Sequence, residues 1–211
     1  MFDIPADLYS EYSGSPFDTC IDCGTALLDA ETPYVIVKNI VAGETVFEMA
    51  ICLFCTMKLQ QEYSEESMQA IRAWSMEQAQ KVRGKAITPA RLDHPPQHIH
   101  TFDADEAETA VDDQSIEPHL DLNHCQLCGT SRTQAHRYIM EAICVGRRLI
   151  QAREPSLIFS FSLLVCEKCT EGMSELVSQK TRDQWNRFVE DHFDGPPEIE
   201  VDPSNRDLMV V

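Results

Sequence analysis

Apolar residues form pairs of strand-like runs, each followed by helical spacing, and this order occurs twice along the chain. The first two runs are YVIVKNI (34–40) and TVFEMAIC (45–52), separated by the turn signal AGE. The second two are YIMEAICV (138–145) and LIFSFSLLVC (157–166). Each pair predicts a β-hairpin, and the second hairpin carries a longer loop in VGRRLIQAREP.

The segments after both hairpins predict helices. CTMKLQQEY (55–63) and CTEGMSELV (169–177) come first, and Ser64 and Ser178 then stand where they can cap a further helix. In the second of these helices, large apolar residues recur at three-to-four spacing, which predicts one buried stripe of core residues. The stripe consists of Trp185, Phe188, Val189 and Phe193.

The two halves read as one unit used twice. When Cys52 is placed on Cys166, the following residues align without a gap and keep their chemical character. The matched pairs are Thr56 with Thr170, Leu59 with Met173, Ser64 with Ser178, Ser67 with Thr181, Ile71 with Trp185, and Trp74 with Phe188.

Eight of the nine cysteines fall into four pairs, each with a two-residue gap. Such a gap lets both sulfurs of a turn face one ion, and two pairs joined by a hairpin supply four ligands. The pairs are Cys20 with Cys23, Cys52 with Cys55, Cys125 with Cys128, and Cys166 with Cys169. A glycine follows the first pair of each half, at Gly24 and Gly129, where a metal-binding turn favours positive φ.

The order of knuckle, hairpin and cysteine pair at a helix start resembles the treble-clef, zinc-ribbon-like group of zinc fingers. The resemblance covers roughly residues 17–63 and 122–177, through CIDCG with CLFC and CQLCG with CEKC. It implies a four-cysteine zinc site in each half, and so two structural zinc ions per chain. The predicted fold class is α+β, with two tandem units either packed as a pseudo-twofold pair or joined flexibly.

Composition divides the chain into four segments. We predict a first zinc-binding domain at 1–85 and a second at 121–193. Between them, 86–120 is rich in acids, prolines and histidines, and reads as a solvated linker. Residues 194–211 read as an extended acidic tail.

A set of four cysteines leaves no open coordination position for water or substrate, which argues against a catalytic zinc. Residue patterns of zinc nucleases, zinc deaminases and phosphate-binding loops are also missing from the sequence. We therefore expect no enzymatic activity. Thiol redox chemistry, including release of zinc on oxidation, stays open because the same cysteine gap serves thiol–disulfide exchange.

Other cysteine and histidine residues are weaker candidates. Cys144 lies in an apolar strand run and is interpreted as a small buried hydrophobe. His124 could substitute as a ligand, but the complete cysteine set leaves it no vacancy. A secondary metal site is conceivable in the linker at His94, His98 and His100, although a polar linker is the simpler interpretation.

The net charge of −18 repels phosphate backbones and favours a protein partner. One exception is a cluster of arginines on the second hairpin, which is either a solvated face or a docking patch for an acidic partner or nucleic acid. The cluster consists of Arg132, Arg137, Arg147, Arg148 and Arg153.

The N-terminus lacks the basic and apolar regions of a secretory signal, and the longest apolar run is about half the ~20 residues of a membrane span. We therefore expect a cytoplasmic protein without a membrane partner, and its oligomeric state is left open. The leading hypothesis is a non-enzymatic zinc-binding interaction or adaptor module. Its alternatives are a thiol redox sensor or chaperone, and nucleic-acid binding through the arginines.

Overall fold

The computed structural model describes residues 2–29, 31–86, 121–150 and 164–193 of the 211-residue chain. The strands are β1 (Phe2–Asp3), β2 (Pro33–Val41), β3 (Glu44–Cys52), β4 (Arg137–Val145), β5 (Arg148–Ile150) and β6 (Val165–Cys166). The α-helices are α1 (Leu53–Glu62), α2 (Glu65–Ala86), α3 (Glu167–Ser174) and α4 (Gln179–His192). Short 3₁₀ helices occur at Ala6–Leu8 and Arg132–Gln134.

The six strands of the described residues belong to one antiparallel sheet, in the order β1-β5-β4-β2-β3, with β6 also paired to β4. The two long strands β2 and β4 lie side by side, in register from Pro33 opposite Val145 to Val41 opposite Arg137. One strand from each cysteine-bearing half therefore meets the other at the centre of a shared sheet. The fold is a mixed α/β arrangement around this sheet.

Strand β2 is buried along nearly its whole length, because both faces of the sheet are covered. On one face, the N-terminal segment lies over Lys38, whose Nζ donates to the Tyr9 carbonyl oxygen at 2.6 Å. On the other face, Phe47 of β3 packs edge-on against Trp185 of α4, with ring centroids 6.5 Å apart. Burial on both faces explains the nearly continuous apolar run YVIVKNI.

Lys38 is a charged residue in this core, with only 1% of its surface exposed. Its Nζ also lies 3.2 Å from the Glu11 carboxylate and 3.5 Å from the Glu48 carboxylate. Glu48 in turn accepts hydrogen bonds from the Ser10 hydroxyl and the Glu11 backbone N–H. Buried charge is tolerated when it is paired and hydrogen-bonded, so this cluster fixes the N-terminal segment on the sheet.

Each long helix packs against the other half of the chain. Phe193, at the end of α4, lies 4.5 Å from Phe47 of the first hairpin, measured between ring centroids. Trp74 of α2 lies so close to α3 that a Cβ added at Gly172 would meet its ring at 2.9 Å. The helices α2 and α4 thus cross between the halves.

The predicted elements are confirmed in most of the described residues. The hairpin of β2 and β3 turns through Ala42 and Gly43, which have φ values of 52° and 86°. Two consecutive residues with positive φ form a two-residue hairpin turn whose twist matches that of the flanking strands, and the AGE signal predicted a turn here. The hydroxyls of Ser64 and Ser178 accept from the backbone N–H of Ser67 and Thr181, which confirms both predicted helix caps.

The predicted loop VGRRLIQAREP is wrong at its start. Gly146, with φ of 55°, reverses the chain directly after β4, so that Arg148–Ile150 forms β5 and pairs back onto β4. Glycine permits this tight turn where another residue would be strained. Of the strand predicted at 157–166, only Leu164, Val165 and Cys166 lie within the described residues.

The predicted domain boundaries stay predictions. Most of the predicted linker, 87–120, and the predicted tail, 194–211, lie outside the described residues. Within the residues that the structure describes, no helix has the length and apolar character needed to cross a membrane.

Candidate metal centres

The first cysteine group combines a tight turn with a helix start. Cys20 and Cys23 lie on a turn in which the Gly24 N–H donates to the Cys20 carbonyl oxygen at 2.9 Å. Gly24 has φ of 69°, as expected for the glycine after a metal-binding knuckle. Cys52 ends β3 and caps α1, and Cys55 lies in the first turn of α1. The sheet and α1 therefore hold one cysteine pair against the knuckle that carries the other.

The second group has the same local construction. The Gly129 N–H donates to the Cys125 carbonyl oxygen at 2.7 Å, and Gly129 has φ of 77°. Cys166 ends β6 and precedes α3, whose first turn contains Cys169. A further backbone hydrogen bond holds each knuckle against the segment that leads into the helix: Ile21 N–H donates to Ala50, and Gln126 N–H donates to Leu164.

In each group the four sulfurs lie within 4.8 Å of one another. The Cys23 and Cys52 sulfurs are 3.8 Å apart, and the Cys128 and Cys166 sulfurs are 3.5 Å apart. A tetrahedron of sulfurs at about 2.3 Å from zinc has edges of about 3.8 Å. The structure thus brings all eight predicted cysteines together into two groups with the spacing that a metal ion requires.

Hydrogen bonds to sulfur orient the cysteine side chains. The backbone N–H of Cys52 donates to the Cys20 sulfur at 3.2 Å, and that of Cys166 donates to the Cys125 sulfur at 3.4 Å. The Thr25 hydroxyl lies 3.1 Å from the Cys23 sulfur, and the Thr130 hydroxyl lies 3.1 Å from the Cys128 sulfur. Such partners hold metal ligands in place. Their sequence signal was the threonine that follows both knuckle glycines.

Hydrogen bonds and burial shift the pKa values of the thiols in opposite directions. The hydrogen bond with Thr25 lowers the pKa of Cys23 to about 6, whereas burial raises the pKa of Cys55. In the second group, hydrogen bonds from Cys166 and Cys169 lower the pKa of Cys125. A thiol whose pKa is lowered loses its proton more readily, and the thiolate is the form that binds a metal.

Sequence reasoning missed a polar pair beside the first group. His192 Nε2 lies 3.1 Å from the Asp22 carboxylate, and His192 Nδ1 lies 2.8 Å from the Phe188 carbonyl oxygen. Hydrogen bonding with Cys55 is the main cause that lowers the pKa of Asp22. Leu127 takes the place of Asp22 in the second knuckle and is buried. The spacing of residues along the chain gave no sign of this pair, because His192 belongs to α4, in the other half of the chain.

The remaining sequence candidates lie apart from both groups. Cys144 is fully buried in β4, and burial raises the pKa of its thiol to about 12, in agreement with its interpretation as a core residue. His124 is exposed and lies 3.0 Å from the Asp121 carboxylate, outside the second cysteine group. The linker histidines, His94, His98 and His100, lie outside the described residues.

Only some of the arginines in the predicted cluster are exposed to a partner in the described residues. Arg132 forms an ion pair with Asp7 at 2.8 Å and donates to the Tyr138 hydroxyl. Arg137 is half-buried and lies 3.7 Å from the Glu171 carboxylate. Arg147 and Arg148 are exposed at the turn into β5, and Arg153 lies outside the described residues. Partner binding through these residues stays a prediction.

Compared with known protein families, with curated proteins and with solved structures, the chain matches none.

Proposed function

We propose that this protein is a non-enzymatic, zinc-binding module that contacts another protein, with one structural zinc ion in each cysteine group. The observation that carries the proposal is the convergence of four sulfurs within 4.8 Å in both halves. In each group the sulfurs come from a knuckle and from a hairpin-to-helix junction. A metal held there fastens three local elements together.

The donor set fits zinc. Four thiolates in tetrahedral spacing suit zinc or an iron–sulfur cluster, and they do not suit magnesium or calcium. When bound, zinc would supply cross-linking rather than Lewis-acid chemistry, because four protein ligands leave no position for a substrate. The chain's own contribution is to present the sulfurs and to direct backbone N–H groups at Cys20 and Cys125.

The proposal includes two treble-clef-like units related by an approximate twofold axis. Its support is the reciprocity of the contacts at the start of α2 and α4. The Ser64 N–H donates to the Thr181 hydroxyl at 2.9 Å, and the Ser178 N–H donates to the Ser67 hydroxyl at 2.8 Å. These four residues are equivalent in the alignment of the two halves.

The interaction role is supported by charge and by the complete ligand sets. With a net charge of −18, the chain favours a protein partner with basic groups over nucleic acid. The eight paired cysteines must be reduced in order to bind zinc, and a reducing cytoplasm maintains cysteines in that state. The proposed setting is therefore cytoplasmic.

Metal analysis of the purified chain tests the proposal. We expect two zinc ions per chain, one ion in the variant with Cys52→Ser and Cys55→Ser, and two in the control Cys144→Ser. Chelation should abolish the near-ultraviolet dichroism of the folded protein, because metal binding supplies folding free energy to small domains. Iron in place of zinc, or a well-folded protein without metal, would contradict the proposal.

A further inference from the structure

The two centres share their local hydrogen bonds but differ in exposure. In each group three cysteines are buried, and the fourth is the second cysteine of the knuckle. That fourth cysteine is exposed in the first centre, at Cys23, and half-buried in the second, at Cys128. Any reagent in solvent therefore meets the first centre more readily.

The surroundings of the two knuckles explain the difference. Residues 23–26 are exposed in succession, whereas Cys128, Thr130 and Ser131 are each half-buried. The residue before the exposed cysteine is Asp22, a carboxylate held by His192. Its counterpart before Cys128 is Leu127, which is only 3% exposed and belongs to the core. An apolar shell restricts access of solvent to a metal site, and a polar one admits it.

Both centres have a partner sulfur close to their least buried cysteine, so exposure is what distinguishes the first centre. The Cys23 and Cys52 sulfurs are 3.8 Å apart, and Cys52 lies on the strand-to-helix junction rather than on the knuckle. A bond between them would remove two of the four ligands at once. Loss of two thiolates leaves too few donors to retain zinc.

We infer that hydroperoxides oxidise Cys23 and that Cys52 then forms a disulfide with it. This oxidation releases the metal from the first centre and leaves the second centre intact. The Cys23 thiolate attacks the peroxide, the O–O bond breaks, an S–O bond forms, and an alcohol or water leaves. The Cys52 thiolate then attacks the sulfenic sulfur, which forms the disulfide and expels hydroxide that is protonated to water. The two cysteines lose two electrons, and the hydroperoxide accepts them.

This inference rests on the proposed metal binding, and the experiment separates the two. The full chain is first assayed for zinc and is then treated with hydrogen peroxide, while a chromogenic chelator reports released zinc. We expect one ion to be released about tenfold faster than the other, with a Cys23–Cys52 disulfide found by peptide mapping. Fewer than two ions before oxidation would contradict the proposed function itself.

Exchange variants provide the matched control. Asp22→Leu gives the first knuckle the shielding residue of the second, and should slow the fast release. Leu127→Asp makes the opposite change, and should speed release from the second centre. Two zinc ions at the start but equal release rates would overturn the inference, and so would initial oxidation at Cys128. If either variant misfolds, the mapping of first oxidation in the unmodified protein still decides between the two centres.

Discussion

The hydroxyl oxygens of Ser64 and Ser178 lie 2.8 Å apart, at the point where α2 and α4 begin. In an ordinary capping box, the third residue of a helix returns to the cap of the same helix. Here Thr181 of α4 accepts from the Ser64 N–H, and Ser67 of α2 accepts from the Ser178 N–H. Each serine hydroxyl still caps its own helix, but the two return bonds cross to the other helix. These crossed bonds couple the halves through hydrogen bonds that neither half can form alone.

The crossed bonds predict non-additive mutations. Ser64→Ala and Ser178→Ala should each lower the free energy of unfolding by about 1 kcal/mol. The loss in the free energy of unfolding of the double variant should differ from the sum of the two single losses by at least about 0.5 kcal/mol, because both hydroxyls belong to one hydrogen-bond network. Urea unfolding of the metal-loaded protein measures all three values. Gln69→Ala, on the exposed surface of α2, is the control, and strictly additive losses would contradict the coupling.

The buried Lys38 predicts a large loss on truncation. Lys38→Met should lower the free energy of unfolding by about 3 kcal/mol, because it leaves Glu48 without its cation inside the fold. Replacing both residues, Lys38→Leu with Glu48→Leu, should recover part of this loss. Glu11→Gln should have a much smaller effect, since Glu11 is exposed. If Lys38→Met and Glu11→Gln lowered the free energy of unfolding equally, Lys38 would not be the residue on which its ion-pair cluster depends.

Glu141 predicts a specific pH dependence. It lies opposite Val37 on the sheet, and burial raises the pKa of its carboxyl to about 8. In the unfolded chain this pKa is about 4.3, so the folded state holds the proton over a wider pH range. The contribution of Glu141 to stability is therefore full below about pH 4 and is lost as pH rises towards 8.

The variant Glu141→Gln removes this titration. Its stability relative to the unmodified protein should increase by up to about 4 kcal/mol between pH 5 and pH 8, as measured by urea unfolding. The exposed Glu66→Gln is a matched control, and it should follow the unmodified protein at every pH. The same difference at pH 5 and pH 8 would exclude Glu141 as the source. Effects of metal binding cancel in the comparison, because Glu141 belongs to neither cysteine group.

The shared sheet predicts that the halves stay together after the chain is cut. A protease site inserted near residue 105, followed by cleavage, should leave fragments that elute as one particle. The reason is the central pairing of β2 with β4 together with the packing of Phe47 against Trp185. Size-exclusion chromatography before and after cleavage measures the result, and separation of the fragments under native conditions would contradict it. The variant Phe47→Ala should weaken the association after cleavage.

The cysteine groups could be predicted from sequence because their determinants are local. A two-residue gap, a following glycine and a helix start place two sulfurs on one side of a turn whatever surrounds them. The duplication then indicated which pairs belong together, and both groups converge as expected. Ser64 and Ser178 were recognised as helix caps for the same local reason.

Long-range relationships could not be predicted in this way. β2 and β4 were each recognised as strands, but an apolar run does not state which strand will lie beside it. The same limit applies to Arg132, which looked available for a partner and is bound to Asp7, more than a hundred residues away in sequence. Arg148 was assigned to a loop because the pairing of β5 depends on the turn at Gly146 and on the neighbouring β4.

Local sequence was sufficient to predict two knuckles, the first hairpin, the helix starts and the eight cysteines that converge in two groups. How these units combine depends on contacts between segments that are distant in sequence. Tertiary structure joined β2 to β4, brought the helix caps Ser64 and Ser178 into contact, and left Cys23 exposed while Cys128 was partly covered. The physical reason is that turn geometry and helix capping act over a few residues, whereas strand pairing, burial and exposure depend on segments distant in sequence.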